Sequence, residues 1–176
     1  MKMAIDYTSE CGFYQFGEPA LHRCVSFAAL KSKDLAKACK HLVHAHNPEE
    51  FATVVVRWAK MGPASEYDLY LTRSVLQLLC TENLKDANTF YKLFLESCPI
   101  EPQTPLVRFT GFLLKTLERE AYPLFKMLRE KYAPAIGRAK GANPSFDNYL
   151  DRIGLLFYGV KPAGSGMSSL LEMLMR

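Results

Sequence analysis

Helix-start signals recur along this chain at short, nearly even intervals, and they leave little room for any other secondary structure. Asn47-Pro48-Glu49-Glu50 is the fullest of them. Asparagine caps well, proline fits the first helical turn, and Glu50 follows three residues after the cap, as in a capping box. Comparable signals stand at Pro19, Asp34, Ser65 with Asp68, Thr104-Pro105, Pro123 and Asn143-Pro144. They predict helices beginning near residues 19, 34, 48, 65, 84, 105, 122 and 145. Strand signals are absent apart from Val54-Val55-Val56, which falls inside a well-capped helix.

The apolar spacing says how these helices pack. Leu21, Cys24, Val25 and Ala28 fall on one side of the first, and Leu35, Ala38, Cys39 and Leu42 on one side of the second. Phe51, Val54, Val55 and Trp58 stripe the third. Between Ser65 and Cys80 apolar residues go most of the way round, as in a helix buried on several sides. From Leu84 to Glu96 they narrow to Ala87, Phe90, Tyr91 and Phe94, a single stripe. Two-helix units recurring at ~30–40 residues predict an all-α solenoid of stacked antiparallel pairs, similar to tetratricopeptide repeats. About eight helices are expected, plus a short amphipathic tail helix at Met167–Met175. A closed bundle is the alternative, and it explains the mixture of buried and one-faced helices less well. Residues 1–17 are aromatic without periodicity and read as an irregular arm, 18–160 as the helical domain, and 161–176 as a flexible linker and tail. Pro134 to Ala142 reads as a connection.

Composition narrows function by exclusion. The 176 residues suffice for one domain with a sizeable core. The net charge of +4 is spread out, densest at Arg129, Lys131, Arg138 and Lys140. A nucleic-acid surface needs a concentrated basic stripe with interleaved aromatics, so no nucleic-acid partner is expected. Five cysteines without a CxxC motif predict reduced thiols in the cytosol, with Cys24, Cys39 and Cys80 acting as small buried hydrophobes. No apolar run approaches the ~20 residues of a membrane span, so no membrane insertion is expected. Cys39, His41, His44 and His46 form a local cluster, but Cys39 and His46 point away from the face shared by the other two. A closed tetrahedral metal site is therefore not expected there. Glu118, Glu120 and Asp151 pair with nothing suited to acid–base work, and Gly164-Ser165-Gly166 follows no strand. No catalytic residue, metal or cofactor is expected.

What remains is an excess of apolar and aromatic side chains off the main stripes, each of which ordinary packing would account for alone, and which together near one end suggest a groove. In the helix after Asn143-Pro144, the residues Tyr149, Leu150, Ile153, Leu156 and Phe157 make a core stripe. Leu155 and Tyr158 fall outside it, on the side of Asp151. Phe112 likewise lies off the main arc of its own helix, formed by Leu106, Val107, Phe109, Leu113, Leu114 and Leu117. Phe112, Asp151, Leu155 and Tyr158 are therefore the candidate partner-binding residues, lining a groove for a helix or extended segment.

Four stretches carry a family resemblance. They are Gly17-Glu18-Pro19-Ala20-Leu21-His22, then His46-Asn47-Pro48-Glu49-Glu50-Phe51-Ala52 with Trp58-Ala59, then Glu66-Tyr67-Asp68-Leu69-Tyr70-Leu71 through Val75-Leu76-Gln77-Leu78-Leu79. The fourth runs from Phe112 to Glu120 and Pro123-Leu124-Phe125, then Tyr149 to Gly154 and Phe157-Tyr158-Gly159-Val160. In order and spacing this set resembles the Golgi-to-ER traffic protein 4 family, the scaffold of the tail-anchored protein targeting complex. The resemblance implies an α-solenoid without enzymatic activity. It implies a cytosolic bridge between a ubiquitin-like adaptor, a Bag-family protein in animals, and the ATPase that carries tail-anchored proteins to the endoplasmic reticulum. The chain matches the second half of the family pattern, the half that docks the adaptor. The ATPase is contacted by the first half, which leaves that contact doubtful for this chain. Outside the family, the alternative is a generic helical-repeat module that binds a peptide or RNA.

Overall fold

The computed structural model describes residues 2–139 and 144–160. Over these the chain forms nine α-helices: α1 (Lys2–Cys11), α2 (Pro19–Lys31), α3 (Leu35–Leu42), α4 (Pro48–Ala59), α5 (Tyr67–Leu79), α6 (Leu84–Ser97), α7 (Pro105–Glu118), α8 (Tyr122–Ile136) and α9 (Phe146–Tyr158). Short 3-10 turns at Ala64–Glu66 and Gly137–Ala139 lead into α5 and out of α8. The eight expected helices are α2 to α9. The tail at Met167–Met175 lies outside the described residues.

Side-chain caps start most helices. Asp34, Asn47, Asn83, Thr104 and Ser145 each accept a hydrogen bond from the backbone N–H three residues on. Such a cap satisfies one of the orphan donors of the first turn and contributes ~1 kcal/mol. The residue before three of these caps is left-handed: Lys33 (φ 60°), His46 (φ 49°) and Glu82 (φ 58°). A left-handed residue followed at once by a capping residue reverses the chain within a few positions. The successive helices therefore become antiparallel neighbours.

Along the stack α2 packs on α3, α3 on α4, α4 on α6, and α5 on both α6 and α7. At the far end α8 packs on α7, and α9 rests on α5 and α8. This is the expected all-α solenoid. Helix α5 is its hub, which accounts for apolar residues nearly all round it: Leu71, Val75, Leu76 and Leu79 are fully buried. Helix α6 needs only one face, and Ala87, Phe90 and Phe94 supply it. Phe51 reaches Phe90 at 4.9 Å between ring centroids, and Phe90 reaches Phe94 at 5.8 Å. Burying each such ring stabilises the fold by about 1.5–3 kcal/mol.

Four details depart from the sequence expectation. Residues Lys2–Cys11, expected to be irregular, form a helix. None of its residues is buried, so it has no core stripe to leave in the sequence. Helix α2 buries His22, Ser26 and Ala29 rather than the stripe through Cys24 and Ala28, and Cys24 is exposed. The polar face turns inward because His22 has partners there, described below. Helix α8 runs through Pro134 to Ile136. Pro134 sits in the last turn, where little of the helix remains to be disrupted, and buried Ile136 anchors the end. Finally, Asp68 does not cap α5. It is 1% exposed and accepts hydrogen bonds from Thr104 Oγ1 at 2.8 Å and Arg138 Nη1 at 2.6 Å. One carboxylate thereby joins α5, the start of α7 and the turn after α8.

A candidate partner-binding end

Helix α9 is held from three sides. Its core stripe buries Phe146, Leu150 and Ile153. Tyr149 accepts a hydrogen bond from Gln77 Nε2 on α5 at 3.3 Å. Gly159, left-handed at φ 67°, closes the C-terminus, where its N–H and that of Val160 satisfy the Leu155 and Gly154 carbonyls.

The four candidate residues take different positions. The Tyr158 ring packs on Tyr122 and Phe125 of α8, with centroids 5.4 and 5.3 Å away. Its hydroxyl donates to the Thr116 carbonyl of α7 at 3.3 Å. Partial burial raises its pKa, and the nearby Glu120 carboxylate adds to the rise. Asp151 accepts from Arg129 Nη1 at 2.8 Å, and Arg129 lies over the Phe125 ring at 5.9 Å. Leu155 is 45% exposed. Phe112, 51% exposed, lies in a separate groove of about 460 Å³ between α6 and α7. Asp151 and Tyr158 are thus tied into α8 and α7, while Leu155 and Phe112 present bare apolar surface.

Sequence reasoning missed two features. One is a larger concavity of about 700 Å³ lined by Trp58, Tyr70, Arg73, Gln77 and Tyr149, with α3 as its other wall. Trp58 and Tyr149 were visible as core-stripe members, and nothing in their spacing showed that they border open space. The other is a histidine cluster across α2 and α3. His22 is buried, with Nε2 2.9 Å from the Phe16 carbonyl and Nδ1 3.1 Å from His41 Nδ1. If His22 is neutral, its Nε2–H donates to Phe16, so its bare Nδ1 accepts from the Nδ1–H of His41. The His44 ring packs at a tilt against those of His22 and Phe16, with centroids 4.9 and 4.8 Å away. Burial lowers the His44 pKa to about 4, with the neighbouring histidines and Lys40 adding to the effect. Burial and the same kind of neighbours also lower that of His41. His22 lies nineteen residues from His41, too far for local spacing to reveal. Among the described residues no group of three or more His, Cys, Asp or Glu is arranged to hold a metal.

No helix among the described residues is long and apolar enough to cross a membrane. Comparison with known proteins resolves the family. The family model for Golgi to ER traffic protein 4 matches residues 1–175.

The chain belongs to the Golgi to ER traffic protein 4 family.

The match takes in the N-terminal helix and the tail as well as residues 17–160, where the resemblance was legible. A Golgi to ER traffic protein 4 homolog from Dictyostelium discoideum is 34% identical over 176 residues, covering 99% of this chain and 56% of that protein. The Homo sapiens homolog is 31% identical over 178 residues, covering 95% of this chain and 53% of its own length. Among solved structures, the crystal structure of C. therm. Get4 superposes with a TM-score of 0.80 at 27% identity, covering 99% of this chain and 60% of that one. The chain spans about half the length of the family members it matches.

Proposed function

We propose that this chain is a non-enzymatic scaffold in the post-translational targeting of tail-anchored membrane proteins to the endoplasmic reticulum. It works in the cytosol and docks a ubiquitin-like adaptor, of the Bag family in animals, through its C-terminal helices. Leu155 is the central contact, Asp151 and Tyr158 shape the surface around it, and Phe112 adds a second apolar contact. No cofactor takes part. The observation that carries this reading is the bare Leu155 on a helix whose neighbours Asp151 and Tyr158 are fastened to α8 and α7. An exposed apolar side chain on a rigid support loses little entropy when a partner covers it. Membership of the family supports the choice of partner.

The test is a pull-down with the full chain immobilised and purified ubiquitin-like adaptor offered beside an RNA oligonucleotide pool and the targeting ATPase. Adaptor retention supports the proposal. Retention of RNA without the adaptor overturns it in favour of a generic helical-repeat binder. The ATPase is not expected to be retained without the adaptor.

A further inference from the structure

The groove around Phe112 has a chemistry that the adaptor reading does not use. Tyr91 forms part of it, half-buried and lying against α7 at Gly111. A Cβ at Gly111 would come within 2.8 Å of the Tyr91 hydroxyl, so the missing side chain lets the ring lie against the helix. On α7, Arg108, Phe112 and Lys115 follow at i, i+4 and i+7 and therefore share one face. Lys92 of α6 lines the groove as well. All three cations and the phenylalanine are exposed. Among the described residues none of the three cations is in an ion pair. Among the described residues Glu118 is the one carboxylate in the lining, so three positive charges face one negative in a chain that is otherwise nearly balanced.

We infer that this groove takes an acidic segment of a partner protein, with an apolar side chain on Phe112 and carboxylates meeting Arg108, Lys115 and Lys92. From residue 108 to 115 a helix rises roughly 10 Å, the length of about three extended residues. Successive side chains of an extended segment point to opposite faces, so the matching pattern places acidic, apolar and acidic residues at alternate positions. A nucleic acid fits less well. It needs more phosphate contacts than three cations supply and further rings for its bases to stack on. The inference rests on the reading of Phe112 as a partner contact and gives that contact its own specificity.

The experiment is a fluorescence-anisotropy titration of the full chain with labelled peptides. One has the core Glu-Asp-Leu-Asp-Glu, the other its uncharged counterpart Gln-Asn-Leu-Asn-Gln, and a twelve-nucleotide oligouridine serves as competitor. The acidic peptide is expected to bind, to weaken as salt is raised, and to lose about tenfold in affinity in the double variant Arg108→Glu/Lys115→Glu and in Phe112→Ala. Lys92→Glu repeats the test from α6 should the double variant fail to fold. Equal binding of the two peptides, unchanged affinity in the folded variants, or displacement by oligouridine at lower concentration would overturn it. Adaptor binding without acidic-peptide binding sinks this inference alone. Acidic-peptide binding without adaptor binding sinks the adaptor reading and leaves the groove.

Discussion

The Tyr158 hydroxyl donates to the Thr116 carbonyl across 3.3 Å, which ties the last turn of α9 to the last turn of α7. The same carbonyl accepts the Ala121 N–H at 3.2 Å, so it has a backbone partner of its own. Removing the hydroxyl in Tyr158→Phe therefore leaves no orphaned acceptor and is expected to cost only ~0.5–1 kcal/mol. Tyr158→Ala also strips the ring from Tyr122 and Phe125 and is expected to cost about 2 kcal/mol or more. Urea denaturation of the two variants checks this. Equal costs would mean that the ring packing contributes nothing.

Stability is expected to fall as pH drops from 7 towards 4. In the unfolded chain His44 takes up its proton near the ordinary value of 6.5, whereas the folded His44 waits until about 4. Between those values the unfolded state binds more protons, so acid favours unfolding, and the loss levels off below the folded value. His41 adds a loss of the same sign. Across that window the melting temperature is expected to drop on the order of 5 °C more than in His44→Gln. Parallel pH profiles for the two proteins would contradict the assignment. Lys37 and Lys40 also face this cluster, and their positive charges act in the same direction.

How far the sequence disclosed the fold depended on whether the signal was local. Asn47-Pro48, Thr104-Pro105 and the stripes of α4, α6 and α9 place helices by contacts within a few residues, and those helices stand where the spacing put them. The turns were harder to see, because Lys33, His46 and Glu82 take left-handed positions that glycine usually marks. The inward polar face of α2 was hidden for another reason. His22 is buried by partners on α3 and at Phe16, so its apolar neighbours looked like the core. Of the residues that leave their stripes, Phe112 and Leu155 are exposed, whereas Asp151 and Tyr158 bond within the fold. The bonds from Asp151 to Arg129 and from Tyr158 to Thr116, across 22 and 42 positions, needed the fold to appear. So did the separation of Phe112 from α9.

The Asp68–Arg138 pair is expected to fix the turn after α8. Arg138→Ala leaves a buried carboxylate with Thr104 as its remaining partner and is expected to cost about 2 kcal/mol, less than a fully buried pair would because Arg138 is half-exposed. Asp68→Asn keeps the shape without the charge. In the double variant the cost of Arg138→Ala is expected to shrink by half or more. Additive costs in that double-mutant cycle would show that the two side chains do not cooperate.

Leu155→Asp is expected to separate binding from folding. Leu155 is half-exposed in the last turn of α9, where a new carboxylate meets the negative end of the helix dipole, so the substitution is expected to cost on the order of 1 kcal/mol. A melting temperature lowered by no more than about 5 °C, followed by helical circular dichroism, checks this, and a larger destabilisation would make Leu155 a packing residue.

The most direct test of the scaffold account is a calorimetric titration of the full chain with purified ubiquitin-like adaptor, wild type against Leu155→Asp. The account predicts saturable one-to-one binding by the wild type and affinity at least about tenfold weaker in the variant, with both proteins fully folded at the titration temperature. No binding by the wild type, or equal binding by the two, would contradict it.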